Sequence, residues 1–314
     1  MKNKEIQALV EGSLFAGITV VITWLSYYIF PLVFLSSVPL VFLSYRWNLK
    51  ISFLSFIVSI LILSLILSPV NSFLFFAPSG ILGIVLGWSI KKKYPLSKII
   101  FLSSLICFFT ELFNIFISMV FFKLPFDKAL GLDLMRESID NSFNLLKSFN
   151  LDQNYLKSLE EMYKEFFKSI NIIIPSILLF SAFFQGVFNY WIVQKVFKRF
   201  GWEIPTLPSL DNLKIPQKIW RILATILIVS FILGIIPLFS KVGLYFFNNV
   251  LFVFQFLVIL EGIFVSLSFL KRVFYSKIIR AIILLLIIFN PFFSFILFII
   301  GFIDIFYPLR EKFA

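Results

Sequence analysis

Apolar runs long enough to cross a bilayer recur about nine times between Ala8 and Phe302, most of them flanked on one side by Lys or Arg. A helix needs ~20 mostly apolar residues to span a ~30 Å hydrocarbon core, so this spacing restricts the chain to an all-α, polytopic membrane bundle. The runs are continuous and do not alternate in polarity, which excludes a membrane β-barrel. Composition agrees: 60% of the 314 residues are hydrophobic, including 45 Phe, against about 45–50% apolar usage in soluble domains.

The expected segments are 8 to 30, 32 to 45, 51 to 68, 72 to 90, 98 to 122, 170 to 194, 219 to 239, 244 to 270 and 279 to 303. The second is too short to cross upright and has Pro31 and Pro39 in and beside it. It reads as a tilted or broken helix held by neighbouring helices and not by lipid. Asn290 and Pro291 offer a break that would split the last segment into two half-helices and return Arg310 and Lys312 to the cytoplasm. The domain reading is a six-helix bundle over 1–195, a loop over 196–218 and C-terminal helices over 219–314.

A formal net charge of +12 raises the question of nucleic acid, but the 28 basic residues cluster at helix ends and form no nucleic-acid motif. Lys2, Lys4, Arg46, Lys50, Lys91, Lys92, Lys93, Lys98, Lys195, Lys198, Arg199, Lys214, Lys218 and Arg221 all fall on one face if the N-terminus is cytoplasmic. Lys271, Arg272, Lys277 and Arg280 join them. Short loops rich in Lys and Arg stay inside, so the chain is expected to be a multi-pass cell-membrane protein with a cytoplasmic N-terminus.

The segment 123–169 is polar enough to fold in water, with periodic apolar positions at Met135, Ile139, Phe143 and Leu146, and again at Tyr155, Leu159, Met162 and Phe166. It reads as an external helical hairpin whose second helix is N-capped by Asp152. It is either an interfacial pair or a lid.

Membrane helices associate through close packing, so small residues mark contact faces. Ala8, Gly12 and Ala16 form one such face, and Gly80, Gly83 and Gly87 form another. Both suit packing within the chain, and the first also suits docking of a partner subunit. Ionisable groups inside a span are expensive, at about 2.5–3.5 kcal/mol on the lenient insertion scale, and so mark candidate sites. Glu111, with Asn114 one turn on, and Glu261 are the two carboxyls at depth. Each either meets a cationic or hydrogen-bonding substrate, carries a proton, or bonds a neighbouring helix as a neutral acid. Gln185 and Asn189 share a face of the sixth span and serve either as an interhelical clamp or as ligand contacts.

The inventory for catalysis is thin. There is no His, Cys107 is the single Cys, and no phosphate-cradling Gly-Lys-Ser/Thr loop occurs. The chain is therefore expected to be no enzyme, to use no cofactor or metal, and to hydrolyse no ATP by itself.

Four places carry a likeness: the opening Ala8-Leu-Val-Glu-Gly-Ser-Leu-Phe-Ala-Gly17, the Gly-rich span from Pro78 to Gly87, the loop from Leu207-Pro208 through Ile215-Pro216 to Trp220, and the ending Gly301-Phe-Ile-Asp304 to Arg310. Through these the chain resembles the YybS-like family of uncharacterised bacterial membrane proteins. That family tends to show Gln-Gly where this chain has Glu261-Gly262.

The first six spans also resemble the substrate-binding subunits of energy-coupling-factor transporters. This second resemblance implies a small-molecule ligand held among the outer halves of the fourth to sixth spans. It also implies a membrane scaffold with two ATPases, docked on Ala8, Gly12 and Ala16. The external segment before the sixth span and the helices after it depart from that pattern. The leading expectation is a substrate-binding component of small-molecule uptake powered by a partner. The alternatives are a membrane scaffold or assembly factor without a ligand, and an ion-coupled secondary carrier.

Overall fold

The computed structural model describes residues 2–148, 153–210, 213–307 and 309. The expectations for Asp152, Arg310 and Lys312 fall outside them. Among the described residues every regular element is helical. In chain order these are α1 (Lys2–Ser26), a 3-10 turn (Phe30–Leu35), α2 (Val38–Arg46), α3 (Leu49–Leu67), α4 (Pro69–Lys91), α5 (Leu96–Phe121) and α6 (Phe126–Ala129). They continue with α7 (Leu132–Ser148), α8 (Gln153–Arg199), α9 (Gln217–Ile235), α10 (Ser240–Val273), α11 (Lys277–Phe289) and α12 (Pro291–Phe306).

Seven of these are long and apolar enough to cross a membrane: α1, α3, α4, α5, the Ser169–Arg199 part of α8, α9 and α10. The two expected segments that fall short do so for the reasons their sequences give. Pro31 and Pro39 sit in the first turns of the 3-10 turn and of α2, so the second segment is two short helices. Leu40, Val41, Leu43 and Ser44 of α2 are almost completely buried, so protein rather than lipid surrounds it. The last segment is split at Asn290 into α11 and α12, bent by 102°.

Local chemistry explains several ends. Asn48 caps α3 by accepting the Ile51 N–H at 2.9 Å, and Pro69 occupies the first turn of α4, where no N–H is needed. Gly201, in the left-handed region at φ 73°, lets the chain turn back so that Trp202 N–H bonds Phe197 O, and α8 stops there.

Among its described residues the segment 123–169 is largely helical as expected, but its second helix does not end near Ser169. It continues without a break into the sixth span as the 47 residues of α8. Such a helix is ~70 Å long.

The chain divides into two compact units. The first comprises Met1–Glu161 with Leu178–Leu207. In it α1 runs parallel to α3, with the Ser55 hydroxyl donating to Gly12 O at 2.9 Å and Ser59 to Ala16 O at 3.3 Å. Likewise α2 runs parallel to α4: Gly83 lies against Ser37 O and Leu40, and Gly87 against Val41 O and Ser44. Phe56 of α3 fills the space over Gly80. One core gathers Val41, Leu82, Leu86, Ile99, Cys107, Ala182, Tyr190 and Phe197, and a second gathers Leu40, Leu43, Phe56, Leu63 and Phe76. The chain after α8 stays with this unit as far as Leu207. Trp202 stacks on Phe42, and Tyr190 OH donates to Pro205 O at 2.6 Å.

The second unit comprises Met162–Ile177 and Pro208–Ala314. Its helices cross through glycines. A Cβ on Gly301 would overlap Val258 O, and one on Gly262 would overlap Leu297 O, so α10 and α12 meet backbone to backbone in antiparallel sense. Gly243 meets Leu233 and Gly234 of α9 in the same way. Trp220, Val258 and Ile305 form the core.

Candidate functional site

Polar groups inside a bilayer need partners, because hydrocarbon supplies none. Where the partners are found separates the candidate residues into staples and an incomplete seam.

The seam lies in the first unit, where α5 and α8 face each other. Gly186 makes it possible: a Cβ there would stand 2.9 Å from both N and Oγ of Ser104, so only a glycine lets the two backbones approach this closely. Two turns further along α5, Glu111 Oε2 accepts the Ser181 hydroxyl at 2.8 Å. Between these contacts stands Gln185, one turn beyond Ser181. The Gln185 side-chain oxygen and the Ser104 hydroxyl are both buried and have no hydrogen-bond partner. Ser181 is exposed and Glu111 half-buried, so the seam opens to the outside of the packed core.

Asn114 and Asn189 are staples. Asn114 Nδ2 donates to Leu74 O of α4 at 3.0 Å. Asn189 accepts the Ser37 hydroxyl at 3.0 Å and donates to Gln185 O at 2.9 Å, tying the start of α2 to α8. Glu111 and Gln185 thus line one stretch of the α5 and α8 contact, while Asn189 faces the start of α2 and Asn114 faces α4.

Glu261 belongs to the second unit. It is 1% exposed and accepts the Ile215 N–H at 3.0 Å, fastening the segment ahead of α9 onto α10. Gln217 Nε2 donates to Ile305 O at 2.6 Å, and Asp304, also 1% exposed, accepts the Leu309 N–H at 2.8 Å. Both deep carboxyls of this unit therefore hold backbone N–H groups of connecting segments.

The face expected to receive a partner subunit is occupied within the chain. Ala8 is 5% and Ala16 1% exposed, and Gly12 lies against Ile51 and Ser55 of α3. The physical reason is the serine pair of α3, which reaches carbonyls of α1 that only small side chains leave open. Gly80, Gly83 and Gly87 pack α4 against α3 and α2.

Several residues outside the sequence candidates also hold the helices together. Glu11, at the membrane entry of α1, gathers Arg46 at 3.1 Å and Trp47 Nε1 at 2.7 Å, and Lys91 Nζ donates to Trp47 O beside them. Asn249 of α10 acts at Pro175, which disturbs the helical bonding of α8. Its Nδ2 donates to Ile172 O at 2.8 Å while its Oδ1 accepts Ser176 N–H at 3.3 Å and Ser176 Oγ at 2.8 Å. One carboxamide thus bonds both the Ser176 N–H and the Ile172 O, the two groups that face each other one helical turn apart beside Pro175. Ser104, Ser181 and Gly186 are invisible in sequence because serines and glycines recur throughout the apolar runs.

No solved structure matches the chain. The uncharacterized protein YybS of Bacillus subtilis (strain 168) is 26% identical over 315 residues, covering 98% of this chain and 99% of that one. The family described as "Predicted membrane protein (DUF2232)" matches residues 17–305, nearly the full length of the chain, and the chain belongs to that family.

Proposed function

We propose that this integral membrane protein is a substrate-binding component of small-molecule uptake that takes its energy from a partner. The observation that carries the reading is the pair of buried, unpartnered polar atoms, Gln185 Oε1 and Ser104 Oγ, flanking the Glu111–Ser181 contact. An apolar wall with a few convergent polar groups is the usual composition of a small-molecule site. Groups left unsatisfied at this depth are stabilised when a ligand supplies the missing bonds. The likeness of the first six spans to substrate-binding subunits of energy-coupling-factor transporters points the same way. The chain has no phosphate-cradling loop of its own, so hydrolysis would reside in the partner. That partner would meet a surface other than Ala8, Gly12 and Ala16, which α3 covers.

Purification in mild detergent followed by mass spectrometry of co-purifying small molecules tests the reading. A bound molecule is expected with the wild type and is lost from a Glu111→Gln, Gln185→Ala variant that still elutes as a folded species. If neither protein retains or is stabilised by any molecule of a metabolite extract, the uptake reading fails.

A ligand-free membrane scaffold is the second reading. It is favoured by Asn114, Asn189, Asn249 and Glu261, whose polar atoms bond groups of the same chain. It predicts a reproducible protein partner and no small molecule in the same purification.

A further inference from the structure

The seam between α5 and α8 is unbalanced in one direction. Glu111 Oε2 accepts from Ser181, while Oε1 has no partner among the described residues. One turn along α8, Gln185 Oε1 is buried and unpaired. The nearby amide donors are already engaged, Asn189 Nδ2 with Gln185 O and Asn114 Nδ2 with Leu74 O. Among the described residues of this seam, Ser104 has a buried hydroxyl without a partner. Apart from the amide nitrogen of Gln185 itself, the site therefore offers two open acceptors and no free amide donor.

It also lacks a positive charge. Along the chain the basic residues nearest Glu111 are Lys98 of α5 and Lys123 just beyond its end, and on α8 those nearest Ser181 are Lys168 and Lys195. Each is at least twelve residues, or ~18 Å of helix, away. Neither the Glu11–Arg46 nor the Asp127–Arg136 ion pair includes Glu111. A single serine hydroxyl does not offset a carboxylate in hydrocarbon, whereas an arriving cation would.

We infer that this seam binds an organic cation bearing N–H donors, an alkylammonium or guanidinium compound, with its charge on Glu111 and a further donor on Gln185. The inference rests on the uptake reading of the same seam and names the class of its substrate. Ser181 and Gln185 are four residues apart, so the two acceptor positions are separated by ~6 Å along α8. That spacing suits a short diamine or an aminoguanidine better than a single compact ion.

The test uses the full chain in lipid nanodiscs and a hydrophobic carbodiimide, which adds covalently to accessible carboxyl groups at depth. The readout is the mass of the peptide containing Glu111, with putrescine, agmatine, tetramethylammonium, glutarate and glycerol as competitors. Putrescine or agmatine at ten times its dissociation constant is expected to slow labelling of Glu111 about tenfold. Tetramethylammonium, which has charge but no N–H, should protect less, and glutarate and glycerol not at all. The same two cations should raise the thermal midpoint of the wild type and of Glu111→Asp, but not of Glu111→Gln. Equal protection by glutarate or glycerol, or none by any cation, overturns the inference. In that event, a neutral or anionic metabolite that stabilises the wild type and not Gln185→Ala would leave the uptake reading standing. Stabilisation by nothing at all would remove both.

Discussion

Asn249 shows how much a single side chain can decide in a membrane interior. Its carboxamide completes the backbone of α8 at Pro175 by bonding Ile172 O and Ser176 N–H together. Removing it strands the buried Ser176 N–H, which costs about 1–3 kcal/mol. Asn249→Ala should therefore lower the unfolding midpoint in detergent clearly, whereas Asn248→Ala, at a half-buried residue whose amide bonds Leu244 O of its own helix, should change it little. Equal shifts for the two variants would contradict the role given to Asn249. Glu111, Gln185 and Asn189 are legible in the sequence because an amide or carboxyl stands out in an apolar run. The serines are not. Ser64 merely bonds Ile60 O in its own helix, while Ser55 reaches Gly12 O across 43 positions, and nothing in the local sequence tells them apart.

Among elements, backbone contact divides the glycines sharply. A methyl on Gly87 meets Val41 O and Ser44, and one on Gly301 meets Val258 O, whereas Gly17 has open space around it. Overpacking of this kind typically costs about 1–3 kcal/mol or more. Gly87→Val and Gly301→Val should lose most of their monodisperse yield in size-exclusion chromatography, and Gly17→Val should keep it. Loss of yield for Gly17→Val alone would reverse the assignment of packed and open faces. Helix number and type are legible from apolar period and prolines, including the breaks at Pro31, Pro39 and Asn290. The continuity of α8 is not, because the step from polar to apolar composition near Ser169 is a change of surroundings and not of backbone. No Gly or Pro stands there to stop the helix.

For the whole molecule, orientation is the property that charge placement addresses most directly. The tight turn after α4 carries Lys91, Lys92 and Lys93, and the short segment around α6 holds Asp127 beside Lys128. In a Cys107→Ser background, Lys128→Cys should react with a membrane-impermeant maleimide on intact cells, and Lys92→Cys only after permeabilisation. The opposite pattern would place the N-terminus outside. Function is the least legible level, because the composition of the apolar runs says nothing about which polar atoms end up without partners. The serine hydroxyls of α2 and α3 grip main-chain oxygens of α4, α2 and α1: Ser44 on Ile84, Ser52 on Leu40, Ser55 on Gly12. A hydroxyl that reads main chain is indifferent to most of the side chains around it. Substitution can therefore run far through the apolar surface while the same few grips keep the helices in register.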